Sequence, residues 1–167
     1  MKGYIPIEIP TKKYIRAFII NQLGDKPFMT PDNIIGNKFF DVLERSTNER
    51  RTEFSAKHYN SKIRVYISLH TFRQRGSFLN ETNVKNFNGF LQLLIKERVR
   101  FLLDFYVREY KSFEKALVEV RAVMKLNDED WDTESIRKDY YRYRLKNNLP
   151  LLYQKSLEKT LPDMSFL

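Results

Sequence analysis

Between Asn80 and Lys111 the chain carries Val84, Phe87, Leu91, Leu94, Ile95, Leu102, Phe105 and Tyr106 at three- and four-residue steps. That spacing predicts one long amphipathic helix, opened by Asn80-Glu81-Thr82-Asn83 and running to about Lys111 with or without a break. A stripe so apolar must be buried, so the rest of the chain has to be arranged around it. With 167 residues and no long low-complexity segment, one compact domain over residues 1–150 is expected, followed by a tail at 151–167 that forms at most a short helix from Leu151 to Leu161.

Two stretches alternate instead. From Tyr4 to Ile9, the side chains of Ile5, Ile7 and Ile9 share one face, and Pro6 directs this strand to a sheet edge because it has no amide to donate. From Lys62 to His70, Ile63, Val65, Ile67 and Leu69 oppose Lys62, Arg64, Tyr66, Ser68 and His70. The two apolar faces suit pairing in register as a two-stranded antiparallel sheet. The next residues, His70-Thr71-Phe72-Arg73-Gln74-Arg75-Gly76, read as a basic turn or hairpin tip. Helices are expected from about Lys12 to Leu23, with Gly24 as terminator, and from a Thr30-Pro31-Asp32 start through Ile34, Ile35, Phe39, Phe40 and Leu43. Gly36 inside the second marks a close approach of another element. The fold class is therefore mainly α with a small sheet, an α+β domain.

The C-terminal part reads as a helix-turn-helix-like pair over 113–147. Ser112 caps a helix from Phe113 to Leu126, with Leu117, Val120, Val123, Met124 and Leu126 inward. After an acidic connection, Asp130, Asp132 and Thr133 offer caps for a helix from Thr133 to Lys146, stopped by Asn147, Asn148 and Pro150. On that last helix Trp131, Ile136, Tyr140, Tyr143 or Tyr141, and Leu145 form the inward stripe. Arg137, Lys138, Arg142, Arg144 and Lys146 are expected to point outward. Arginine interleaved with tyrosine supplies phosphate-seeking forks and stacking faces together.

The chain has a formal net charge of +9 and no cysteine. The charge implies attraction to polyanions, and the missing thiols exclude disulfides and cysteine-ligated metals. From Arg45 to Arg75, eight cations face Glu49 and Glu53, which places about six of the nine surplus charges in this stretch. Two histidines, His58 and His70, leave little for a transition metal, and five glycines leave little for a phosphate-cradling loop. No uninterrupted apolar run reaches the length of a signal peptide or a membrane span, so a cytoplasmic location is expected.

One short motif suggests chemistry. His70-Thr71-Phe72-Arg73 resembles the His–Arg pair with which tyrosine recombinases stabilise the scissile phosphate, and the resemblance implies Tyr140, Tyr141 or Tyr143 as nucleophile. It covers four residues, and the surrounding sequence departs from that family's pattern. The expectation is a non-catalytic protein without cofactor that binds nucleic acid, duplex DNA before RNA, as a regulatory or architectural factor. Arg137, Lys138, Tyr141, Arg142 and Arg144 would contact it from the last helix, with Lys62, Arg64, Arg73 and Arg75 adding backbone charge. The alternative is a structural or adaptor subunit, self-associating or part of a larger assembly of viral or mobile-element type.

Overall fold

The isoleucines of the two alternating stretches stand opposite one another. In the computed structural model, which describes residues 3–45 and 59–150, β1 (Tyr4–Thr11) pairs antiparallel with β2 (Ser61–Ser68), matching Ile5 to Ile67, Ile7 to Val65 and Ile9 to Ile63. Ile7, Ile9, Ile63, Val65 and Ile67 are buried, while Pro6, Glu8, Lys62 and Arg64 line the outer face. The far edge of β2 is bridged by the segment around Phe28, whose neighbours exchange backbone hydrogen bonds with Tyr66 (2.9 Å each). The edge left to β1 carries Pro6 and Pro10, which offer no amide to a further strand.

The helices are α1 (Lys13–Leu23), α2 (Ile34–Val42), α3 (Leu69–Arg75), α4 (Glu81–Tyr110), α5 (Phe113–Met124) and α6 (Thr133–Lys146). The main class is the one the periodicity predicts. Two starts differ from expectation. The α2 cap is Asn33, whose Oδ1 accepts from the Gly36 amide at 2.7 Å, and not Thr30, Pro31 or Asp32. The second strand stops at Ser68, because the Ser68 side chain caps a new helix by accepting from Thr71 N–H. Leu69 and His70 thus belong to α3, and the basic segment to Arg75 is helix, not a hairpin tip. At Gly36 the expected close approach is present: a Cβ there would lie 2.1 Å from the Thr30 carbonyl oxygen.

Helix α4 runs unbroken for 30 residues, about 45 Å. Its buried line is Val84, Phe87, Leu91, Ile95, Val99, Leu103 and Val107. Each four-residue step turns the buried face by about 40°, so the face winds around the helix. A fixed stripe extended from the first half therefore misplaces Phe105, which is exposed. Burying each aliphatic side chain of this line contributes about 1.5–3 kcal/mol. The N-terminal half of α4 holds the sheet, α1 and α2, through Phe39 against Phe87 (5.4 Å between ring centres) and through buried Asn88, which accepts from Thr11 Oγ1 at 2.6 Å.

The C-terminal half of α4 holds α5 and α6. Lys111, in the left-handed region at φ 50°, and Ser112 turn the chain back, and α5 returns along α4 until the Met124 carbonyl meets Asn21 of α1. Val123 of α5, expected inward, is exposed. After the connection at 125–132, α6 runs alongside α4 in the same direction, with Asp139 beside Lys96 and Arg100, and Tyr140 and Arg144 beside Asp104. Trp131, just before α6, stacks on Tyr14 of α1 at 5.0 Å.

Candidate nucleic-acid interface

The residues nominated from the sequence fall in three places, and α6 keeps fewer of them at the surface than expected. Arg144 is buried, on the line Ile136–Tyr140–Arg144. Its guanidinium is ion-paired with Asp104, donates to the Pro150 carbonyl (2.8 Å from Nε) and approaches the Tyr140 hydroxyl at 3.2 Å. Tyr140 in turn donates to Asp104 at 2.6 Å, and burial together with that carboxylate raises the tyrosine pKa. Arg137 is held by Glu134 (2.6 Å) and Glu114 (3.0 Å) over the Phe113 ring. Tyr141 is half-buried, stacked on Phe113. These three are positioning residues of the helical bundle. Leu145, placed inward by the sequence reading, is exposed.

Lys138 and Arg142 do stand outward, four residues apart. They border a cleft of about 490 Å³ together with Lys12 and Lys13 from the start of α1 and Lys96 from α4. Five carboxylates, those of Asp128, Glu129, Asp130, Asp132 and Asp139, line the same cleft, so its formal charge balances. Most of these acids build the local structure. Asp132 caps α6 through the Ser135 amide (2.8 Å), Asp130 accepts from the Asn127 amide (3.1 Å), and Asp128 takes Arg121 (2.7 Å) and Thr133.

Asp139 is the half-buried anchor of this wall. Burial pushes its carboxyl pKa up, but hydrogen bonds and charge from Arg100 and Lys96 outweigh that and hold it below the usual 3.8. A depressed carboxylate contributes stability above its unfolded-state pKa and loses it as the pH falls through the folded value. Asp139→Asn is therefore expected to be less stable than the wild type at pH 7, with the difference shrinking below about pH 4. Thermal melts of both proteins from pH 7 to pH 3 check this, and a constant difference across that range would refute it.

The sheet behaves differently. Its outer face carries Lys62, Arg64 and Tyr66 of β2 and Tyr4, Pro6 and Glu8 of β1, all in register. Arg16 of α1 joins Lys62, Arg64 and Tyr66 around a shallow groove of about 320 Å³, with Glu8 and Asp25 as its acids. Arg64 pairs with Glu8 at 2.8 Å, and hydrogen bond and charge together lower the Glu8 pKa. Both partners are more than half exposed, so solvent screens the pair and a phosphate can displace the carboxylate. Tyr66 is half-buried, and exposed Phe28 stands beside it (5.5 Å) with Tyr4 beyond (4.5 Å). From the sequence, Arg16 on the outer face of α1 has at most a supporting electrostatic role, and nothing marks Phe28 as a contact. Only the pairing of the 27–29 segment with β2 and the packing of α1 bring them to this face.

Arg73 and Arg75 lie on α3, beyond the other end of β2. Arg75 donates to the Phe40 carbonyl (3.1 Å) and sits over the Phe40 ring, which leaves Arg73 as the freer charge. His70 is exposed on the same helix, whereas Tyr140 is buried in the bundle with its hydroxyl donated to Asp104. Of the three tyrosines that the resemblance offers as nucleophile, Tyr140 is thus taken up in packing, while Tyr141 and Tyr143 are half-buried on α6. Among the described residues, no helix is long and apolar enough to cross a membrane. No protein-family model matches the chain, and no curated protein and no solved structure matches it.

Proposed function

We propose that the protein is a non-catalytic nucleic-acid-binding module whose contact surface is the outer face of the β1–β2 sheet with the adjoining side of α1. The observation that carries this reading is the convergence of Arg16, Lys62 and Arg64, from two elements far apart in sequence, beside exposed aromatic rings. A regulatory or architectural role fits a surface that supplies charge and stacking. The surface differs from the recognition helix expected at 133–146, because Arg137, Tyr141 and Arg144 are taken up in packing there.

Fluorescence anisotropy of labelled nucleic acid across a salt series tests it. Binding should weaken steeply with salt, and Arg16→Ala and Lys62→Ala should each weaken it and flatten the salt slope by about one unit. Glu8→Gln should strengthen binding, since it removes a competing carboxylate from the same face. Unchanged affinity in all three variants would refute the assignment of the surface.

A second reading has its own observation. Phe101 and Phe105 lie one turn apart on the outside of α4, 71% and 60% exposed, and Leu145 of α6 is 64% exposed. Neighbouring large exposed apolar side chains such as Phe101 and Phe105 mark association surfaces, which suits a structural or adaptor subunit of a larger assembly. Solution mass distinguishes the two: a stable oligomer that Phe101→Ser dissociates, with no nucleic-acid binding, would favour the subunit.

A further inference from the structure

Resting on the nucleic-acid reading above, we propose that the sheet's outer face takes a single strand, with Tyr4, Phe28 and Tyr66 stacking bases and Arg16, Lys62 and Arg64 holding phosphates. The aromatic group is built from three separate segments: the start of β1, the segment after α1, and the C-terminal part of β2. Its ring planes are tilted by 57° between Tyr4 and Phe28 and by 40° between Phe28 and Tyr66. The rings therefore do not seal one another into a closed stack. Tyr4 remains 49% and Phe28 38% exposed, adjoining ring area that a base can cover.

The cations run along β2 toward the rings, which cross its Ser68 end, because Phe28 flanks β2 on one side and Tyr4 belongs to β1 on the other. Lys62, Arg64 and Tyr66 alternate along one face of β2, so neighbours in this file are about 6.6 Å apart, and Arg16 flanks them from α1. Charge and ring are thus arranged in series along an extended backbone. A single strand presents base faces and phosphates in just such a sequence, whereas a duplex keeps its base faces stacked inside and offers only phosphates and base edges. The charge complementarity selects a polyanion, and the exposed rings select one whose bases are free. An acidic peptide would satisfy the cations and leave the rings uncovered.

The test uses the full chain with labelled oligo-dT and oligo-U of twelve nucleotides and a duplex of the same length, over a salt series. Tyr4→Ala and Phe28→Ser are measured beside Arg16→Ala and Lys62→Ala, with melting temperatures recorded for all. The expected result is preference for the single strands and a loss of about 5- to 100-fold in the aromatic variants, with an unchanged salt slope. Tyr4→Phe should restore wild-type binding. Tyr4→Trp should show fluorescence quenched on binding, against a background of Trp131, which is 8% exposed. Oligo-dU measured beside oligo-U separates the ribose 2′-hydroxyl from the thymine methyl group.

If the cation variants lose affinity while the aromatic variants bind as the wild type does, the stacking proposal fails and the electrostatic reading stands. Equal losses for duplex and single strand would also overturn the single-strand assignment. If no nucleic acid binds at low salt, both readings fail together.

Discussion

Replacing Arg144 with alanine is expected to lower the free energy of unfolding by about 3 kcal/mol, because it leaves a largely buried carboxylate without its cation. For a chain of this size that corresponds to a fall in melting temperature of about 6–12 °C. The loss has several parts. Asp104 loses its ion pair, the Tyr140 hydroxyl loses a neighbour at 3.2 Å, and the Pro150 carbonyl loses a donor at 2.8 Å. The double variant Arg144→Met with Asp104→Leu should recover much of the stability, since an apolar pair in that place leaves no unpaired charge. Differential scanning calorimetry of the three proteins decides the matter. A single variant melting within a degree of the wild type would show that Arg144 is a surface cation after all. Nucleic-acid affinity, measured well below the melting point, is expected to be unchanged, which separates a structural arginine from a contacting one.

Gly76→Ala is expected to cost about 4 kcal/mol, from two additive causes. The backbone at Gly76 has φ 82° and ψ −163°, a region open essentially to glycine alone. An added Cβ would also stand 2.3 Å from the Glu44 carbonyl oxygen and 2.6 Å from the Arg45 Cα, both backbone atoms that cannot swing aside. Gly24 is the internal control, since it has the same φ of 82° with nothing within 4 Å of the built Cβ. Gly24→Ala should therefore show the conformational cost without the clash. Denaturant melts of the two variants that gave equal midpoints would exclude the steric part. The clash would strain the short antiparallel bridge between Glu44 and Phe78, whose two backbone hydrogen bonds (3.0 and 3.1 Å) join the end of α2 to the chain entering α4.

The periodicities made much of the fold legible. Alternating isoleucines mark β1 and β2 as partners and show which face of each is buried, and the bounds of α6 follow from Asp132 and the Asn147–Pro150 stop. What periodicity fixes less well is which way a winding face points after several turns, and Phe105 shows the error. The misplacement of Arg144 has another origin. Counting from Ile136 in steps of four reaches Tyr140 and then Arg144, so spacing alone puts all three on the buried line. Its residue type argues for solvent and its position for burial, and Leu145 shows the reverse conflict. A buried arginine requires a carboxylate from another helix, and nothing in a single sequence joins Asp104 to it across 40 residues. The same limit applies to the basic face, because Arg16 and Lys62 become neighbours only through tertiary packing.

The position of α4 in the chain has a consequence for synthesis. Both halves of the protein are built on this helix, yet it begins at residue 81. The contact from Thr11 to Asn88 spans 77 residues, and that from Lys12 to Gln92 spans 80. As the polypeptide leaves the ribosome, the apolar sides of β1 and α1, with Ile9, Ile15, Phe18 and Ile19, must wait without their main support. The N-terminal half should gain protease resistance in one step, when the nascent chain has released most of α4, and α5 and α6 should then add to a scaffold already in place.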